Sequence, residues 1–215
     1  MNEKLKSSVS YINGKEDGIA VFIRQNGDTI SYNEYTDGIA NGWQKSWYPN
    51  GELEYQGKTI DGKKDDKWLF YYPNGQLQNE AFYSNGDKVG HWKFFNLEGK
   101  LMREGDYANN EKQGTWKQYF EDGKTAQLVN YKNCLEHGQW VSYHENSSIL
   151  TSGSYNEGKM SGKWVTNYPD GNKRSECEYI DGNKNGIETT YNSKGVISEK
   201  TTWKNGVKEG KYELY

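Results

Sequence analysis

The chain has 215 residues, 33% of them hydrophobic, with a mean hydropathy of −1.13 and a net charge of −3 from 30 acidic and 27 basic side chains. So little aliphatic content excludes an ordinary aliphatic core, while the small net charge and 8 Trp and 18 Tyr exclude a disordered chain. The acidic balance, with no basic cluster, weighs against nucleic acid, whose affinity rests on phosphate contacts, and no apolar run is long enough for a membrane-spanning helix.

From the N-terminus, MNEKLKSSVSYING has no apolar stretch of the kind a secretory leader needs, so a cytoplasmic location is expected. Glycine then returns every 24 residues, at Gly18, Gly42, Gly90, Gly114, Gly138, Gly162, Gly186 and Gly210, with Asp66 the one interruption. A fixed period of this length marks a stack of identical supersecondary units. Counting each framework glycine as position 0, positions 8 and 9 read Asn26–Gly27, Asn50–Gly51, Asn74–Gly75, Asp122–Gly123 and Asp170–Gly171. Positions 19 and 20 read Asp37–Gly38, Asp61–Gly62, Asn85–Gly86, Asp181–Gly182 and Asn205–Gly206. Such dipeptides predict two-residue type I′ hairpin turns, because both central residues need positive φ. Each repeat therefore holds two strands of about ten residues, and no helical period competes. The expected architecture is all-β: an elongated single-layer antiparallel meander of about eight tandem 24-residue β-hairpin repeats. Residues 1–17 form an N-terminal cap and half repeat, 18–209 the eight repeats, and 210–215 a capping strand.

Two-residue turns at positions 8–9 predict pairs summing to 17, and turns at 19–20 predict pairs summing to 39. Position 2, tryptophan at Trp68, Trp92, Trp116, Trp140 and Trp164, then faces a small residue at position 15, such as Gly57, Ala81, Gly105, Gly153 or Cys177. Position 6 faces position 11, as in Tyr48 with Leu53 and Tyr72 with Leu77, and position 17 faces the framework glycine. Position 2, usually positions 6 and 11, and position 17 are thus expected on one face, with the tryptophans a structural aromatic ladder. The other face reads mainly Lys, Glu, Gln, Asn and Thr. On it falls the position 5 row, Tyr71, Phe95, Tyr119 and Tyr143. Two readings of that row stand: a partner-binding surface, since tyrosine buries area at low entropy cost, or a ladder that only stiffens the sheet.

The segment Gly162–Gly171, G-x-W-x-x-x-Y-P-D-G, and the run from Asp66 through Gly90 resemble the variant MORN repeat, over about residues 9–215. The chain is also similar to bacterial proteins of the YwqK antitoxin type. That resemblance implies protein docking, scaffolding or membrane-lipid contact, and for the bacterial subgroup neutralisation of a partner toxin. Asp66 departs from the pattern at a framework glycine, and Asn110, Cys134 and Ser147 depart at turn glycines.

Little else suggests chemistry. His137, just before Gly138, reads as a turn-flanking residue, and a metal site with Cys134 lacks further ligands at the right spacing. Cys134 and Cys177 are expected roughly 14–19 Å apart at about 4.8 Å per strand, too far for a disulfide. No catalytic residue, metal or cofactor is expected. The function that fits is a non-enzymatic scaffold for another protein, in its most concrete form a toxin, with no nucleic acid. The alternative is a membrane- or cell-envelope scaffold binding lipid headgroups or glycans.

Overall fold

The computed structural model describes residues 6–215, so residues 1–5 of the expected N-terminal cap lie outside the described residues. Eighteen strands and no helix are present among the described residues. They form two compact units. The first, Met1–Asn110, contains β1 (Ser7–Ile12), β2 (Lys15–Ile23), β3 (Thr29–Thr36), β4 (Ile39–Trp47), β5 (Leu53–Ile60), β6 (Lys63–Tyr71), β7 (Leu77–Ser84), β8 (Asp87–Phe95) and β9 (Leu101–Ala108). The second, Glu111–Tyr215, contains β10 (Glu111–Tyr119), β11 (Thr125–Lys132), β12 (Leu135–Tyr143), β13 (Ile149–Asn156), β14 (Lys159–Asn167), β15 (Lys173–Ile180), β16 (Asn183–Tyr191), β17 (Ile197–Lys204) and β18 (Val207–Leu214). Within each unit every strand pairs antiparallel with the next, the expected hairpin meander.

The two turn families differ. At positions 19–20 both residues are left-handed, as in Asp61 (φ 49°) with Gly62 (φ 76°) and Asn85 (φ 52°) with Gly86 (φ 91°), so these are the predicted type I′ turns. At positions 8–9 only the glycine is left-handed, and the type I′ reading is corrected. Gly75 N–H donates to the Tyr72 carbonyl at 2.9 Å, and Tyr72 N–H donates to the Gln76 carbonyl at 2.8 Å. That pattern is a three-residue loop with a type I turn followed by a glycine bulge.

Register changes accordingly. Trp68 pairs with Ala81 and Asp66 with Tyr83, as the sum of 17 requires, but Tyr71, not Tyr72, pairs with Leu77. The position 6–11 pairs are therefore wrong, and the aromatic face carries positions 4 and 13 instead. Tyr55, Phe70 and Phe94 pack there with Trp68, Ala81, Trp92, Tyr83 and Tyr107. Beside the type I′ turns the sum of 39 holds only as far as the framework glycine. Lys58 pairs with Asp65, but Gln56 pairs with Leu69, so the ladder shifts there by two residues. An even shift leaves each side chain on its original face, which is why the alternation survives.

This bulge repositions the tryptophans. Trp68 stands opposite Ala81 in register, yet its ring lies over Gly57 of the preceding repeat, where an added methyl would clash with the ring. Trp164 likewise covers Gly153. Each indole N–H then donates to a carbonyl of the preceding strand: Trp68 to Lys58 at 2.9 Å and Trp164 to Ser154 at 3.2 Å. Where position 2 is Gln44, its amide serves the same role, donating to the Glu34 carbonyl at 3.1 Å. At Trp68, Trp92 and Trp116 a lysine at position 22 caps the ring. Lys64 Nζ sits 4.5 Å from the Trp68 centroid, and burial together with the nearby Lys88 charge pulls Lys64 below its ordinary pKa.

Two rows of stitches explain the unbroken period. Along one edge the position 20 N–H donates to a carbonyl 22 residues earlier, as Gly62 to Ala40 and Gly86 to Lys64, both at 2.8 Å. Along the other edge the position 6 hydroxyl donates 23 residues ahead: Tyr48 to the Tyr71 carbonyl, Tyr72 to Phe95 and Tyr168 to Tyr191. An inserted residue would break both rows. The four departures keep the required backbone, with φ of 57° at Asp66, 68° at Asn110, 63° at Cys134 and 69° at Ser147. Asn110 and Cys134 add a contact that glycine cannot make. Each accepts the strand N–H 22 residues earlier, through Oδ1 from Lys88 at 2.9 Å and through Sγ from Lys112 at 3.2 Å.

Candidate functional site

The tryptophan ladder is interior. Trp68, Trp92, Trp116 and Trp164 are buried, and Trp140 is half-buried, 5.4 Å from the Trp164 ring. Rings covered by their neighbours and by lysine stems offer little to a partner. The position 5 row places Tyr71 on β6 and Phe95 on β8 of the first unit, and Tyr119 on β10 and Tyr143 on β12 of the second, one residue per repeat. All four are half-buried. The Tyr71 hydroxyl accepts from Gln56 Nε2 at 3.3 Å, and the Tyr71 and Phe95 carbonyls take the stitches from Tyr48 and Tyr72. The row is tied into the sheet and exposes part of each ring.

The same face of the first unit carries a more accessible aromatic. Trp43, at position 1, is 38% exposed. Because side chains alternate along a strand, it points away from the face that buries Gln44. Glu34 holds the backbone here: its Oε2 accepts the Trp43 N–H at 2.7 Å and its Oε1 accepts the Tyr32 hydroxyl at 2.7 Å. That carboxylate sits over Gly42, whose φ of 113° and lack of a Cβ make room for it. Lys45 Nζ lies 5.1 Å and Lys58 Nζ 5.2 Å from the Trp43 ring centroid. Beside the ring is an open depression of about 200 Å³ lined by Trp43, Gln56, Lys58, Asp66, Lys67 and Leu69. Across β2 to β6 the residues directly opposite one another are Val21, Tyr32, Lys45, Gln56 and Leu69, a row apolar at both ends and polar in the middle. Sequence reading passed over Trp43, although a tryptophan one place before the ladder position signals the opposite face.

The titratable groups are committed to structure. His91 bridges two carboxylates, Nδ1 to Asp106 at 2.8 Å and Nε2 to Glu104 at 3.0 Å. Partial burial pulls its pKa down, but the hydrogen bonds to Glu104 and Asp106 outweigh that and hold it above the ordinary value. His144, at position 6, replaces the stitching tyrosine, with Nε2 3.1 Å from the Asn167 carbonyl, which makes it the donor. His137 Nδ1 accepts the Glu157 N–H at 3.4 Å, a turn-flanking role. Glu176 takes Lys163 at 2.8 Å, Lys173 at 2.9 Å and the Tyr191 hydroxyl at 2.9 Å, and these bonds, Lys163 first, lower its pKa to about 2. Both cysteines are free, Cys134 exposed and Cys177 buried, and burial raises the Cys177 thiol, the reverse of what a nucleophile needs. Among the described residues no three His, Cys, Asp or Glu side chains are set to hold a metal.

Five segments, residues 41–61, 67–85, 88–109, 112–133 and 160–181, match the family described as MORN repeat variant. No curated protein matches the chain. Among solved structures, the crystal structure of TcdB2-TccC3-Cdc42 is similar at 12% identity and a TM-score of 0.23 over 92% of this chain. That of TcdB2-TccC3 gives 10% identity and a TM-score of 0.20 over 91%. The chain spans 14% of the length of either, and superposition that loose bears on neither fold nor function.

Proposed function

We propose that this chain is a non-catalytic repeat scaffold that binds another protein through the Trp43-bearing face of its first unit, and that in the cell it acts as an antitoxin or immunity protein. The observation that carries the reading is the accessible Trp43 ring, flanked by Lys45 and Lys58 on a rigid, hydrogen-bonded sheet. Tryptophan surrounded by partly covered contacts is the usual composition of a binding hot spot, and a stiff sheet loses little entropy on docking. The five MORN repeat variant matches support a scaffold role, and the saturated partners of His91, Glu176 and Cys177 support a non-catalytic one.

The test is affinity capture from the source cell with the parent chain, Trp43→Ala, and a Phe95→Ala plus Tyr119→Ala double variant. The reading requires a protein held by the parent and lost with Trp43→Ala, and co-expression that relieves that protein's toxicity. Equal capture by parent and Trp43→Ala removes the chosen face, and a captured protein with no toxic effect removes the antitoxin role.

A second reading, a membrane scaffold, draws on the ammonium groups of Lys64, Lys88, Lys112, Lys184 and Lys208, repeated over the aromatic face. Sedimentation with anionic vesicles at low and high salt separates the two readings, since headgroup attraction is screened and a packed tryptophan contact is not.

A further inference from the structure

The Trp43 depression brings Lys58, Lys67 and Asp66 beside one accessible ring, and Lys45 approaches the same ring. Among the described residues neither Lys45 nor Lys58 has a carboxylate partner, whereas Lys67 and Lys163 on the same type of face are paired with Glu80 and Glu176. Of the nearby acids, Glu34 is already shared between Tyr32 and the Trp43 backbone. Asp65, opposite Lys58 in register, accepts the Asn85 N–H, and Asp66 lines the depression without an ion pair to either lysine. Among the described residues the Trp43 indole N–H has no acceptor, unlike those of Trp68, Trp92 and Trp164, which all donate to carbonyls. Two ammonium groups drawn to one ring repel each other, and an anion placed between them relieves that repulsion while keeping both cation–π contacts. Leu69 adds an aliphatic wall to the depression. Against Leu69 a leucine or valine next to a carboxylate is accommodated.

We propose that the depression receives an acidic segment of the protein partner, one carboxylate lying between Lys45 and Lys58 and an adjacent aliphatic side chain resting on the Trp43 ring over Leu69. This assignment rests on the protein-binding reading above and names the chemistry its partner presents. Charge steering of this kind raises association rate at low salt, and the aromatic contact retards dissociation.

The full chain is titrated with the peptide EELEELEE, with its amide counterpart QQLQQLQQ and with hexagalacturonate, following the Trp43 indole N–H signal by heteronuclear NMR. The Glu peptide is expected to shift that signal and to bind at least tenfold more tightly than the Gln peptide at low salt, with the gap narrowing at high salt. Lys45→Ala plus Lys58→Ala and Trp43→Ala should each weaken binding at least tenfold, while Lys211→Ala, on β18, leaves it unchanged. Unaltered far-ultraviolet circular dichroism and melting temperature establish that the variants fold. Absence of Glu-peptide binding, equal binding of the Gln peptide, tighter binding of hexagalacturonate, or affinity indifferent to the two lysines each overturns the assignment. If the peptide fails while a cellular protein is still captured by the parent and lost with Trp43→Ala, the acidic segment falls and the scaffold reading stands. If that capture fails too, both fall.

Discussion

Replacing Gly153 by alanine places a methyl group 2.6 Å from Cγ of Trp164 and closer still to Cδ2 and Cε2. Ordinary carbon contacts lie near 3.5–4.0 Å, so the ring or the strand must give by about 1 Å. The ring has little room. Tyr155 meets it edge-on at 5.2 Å, Trp140 lies at 5.4 Å and Tyr179 at 6.1 Å, and its N–H is held by the Ser154 carbonyl. Overpacking of this kind costs about 1–3 kcal/mol. The backbone offsets part of that, because Gly153 is not left-handed and alanine there restricts the unfolded chain by about 0.4–1 kcal/mol. The net destabilisation is therefore about 1.3 kcal/mol at the middle of these ranges and at most about 2.6 kcal/mol, or a melting-temperature drop of roughly 6 °C for a unit of this size. Val129 and Trp140 show the outcome in the native chain: with valine at position 15, the tryptophan of the next repeat is only half-buried. The assay is urea unfolding followed by tryptophan fluorescence, with Ala81→Gly as the companion. That variant removes a fully buried methyl packed between Trp68 and Trp92, and it should also destabilise, because each position 15 residue is matched to its own ring. A Gly153→Ala protein as stable as the parent, with unchanged fluorescence, refutes the account of ring over bare backbone.

Tyr72→Phe removes the hydroxyl stitch to the Phe95 carbonyl and should cost about 0.5–1.5 kcal/mol in the same unfolding assay. His91 has a raised folded-state pKa, so its contribution is complete below its unfolded value near 6.5 and is lost as pH rises through the folded value. The unfolding free-energy gap between parent and His91→Gln, measured by urea unfolding at each pH, should accordingly shrink from pH 6 to pH 9, staying within about 1 kcal/mol throughout because the ring is half exposed. Glu176 titrates in the opposite sense. With its pKa lowered to about 2, its advantage over Glu176→Gln is present above the unfolded value near 4.3 and disappears as pH falls toward 2. Acid-unfolding curves of the pair measure it.

The period, the strand count and the face buried by the tryptophans could be read from the glycine spacing and the position 2 ladder, because those features are local and repeat in phase. The first turn was misread because Asn-Gly suits both a two-residue type I′ loop and the end of a type I turn with a glycine bulge. A distinguishing signal was present in Pro49, Pro73 and Pro169, which precede Asn50, Asn74 and Asp170. Proline's fixed φ suits the first central position of a type I turn. The bulge at the framework glycine was hidden for a different reason. Its two-residue shift preserves every face assignment, so no alternation rule detects it, and only three-dimensional packing reveals that Trp68 covers Gly57. Of the candidate site, the chosen row at Tyr71 and Phe95 lies on the face that also presents Trp43. The pairing of Trp43 with Lys58 obeys the predicted sum of 17, and Lys45 lies two residues along the same strand, so both neighbours could be read from the sequence once Trp43 was noticed.

The most direct measurement is the dissociation constant of the captured partner for the parent chain and for Trp43→Ala, at matched salt and with melting temperatures recorded for both. Loss of more than tenfold in affinity with melting temperature little changed is the predicted result, because the ring is 38% exposed and alanine keeps the backbone N–H that Glu34 holds. Equal affinities would contradict the assignment of recognition to this face.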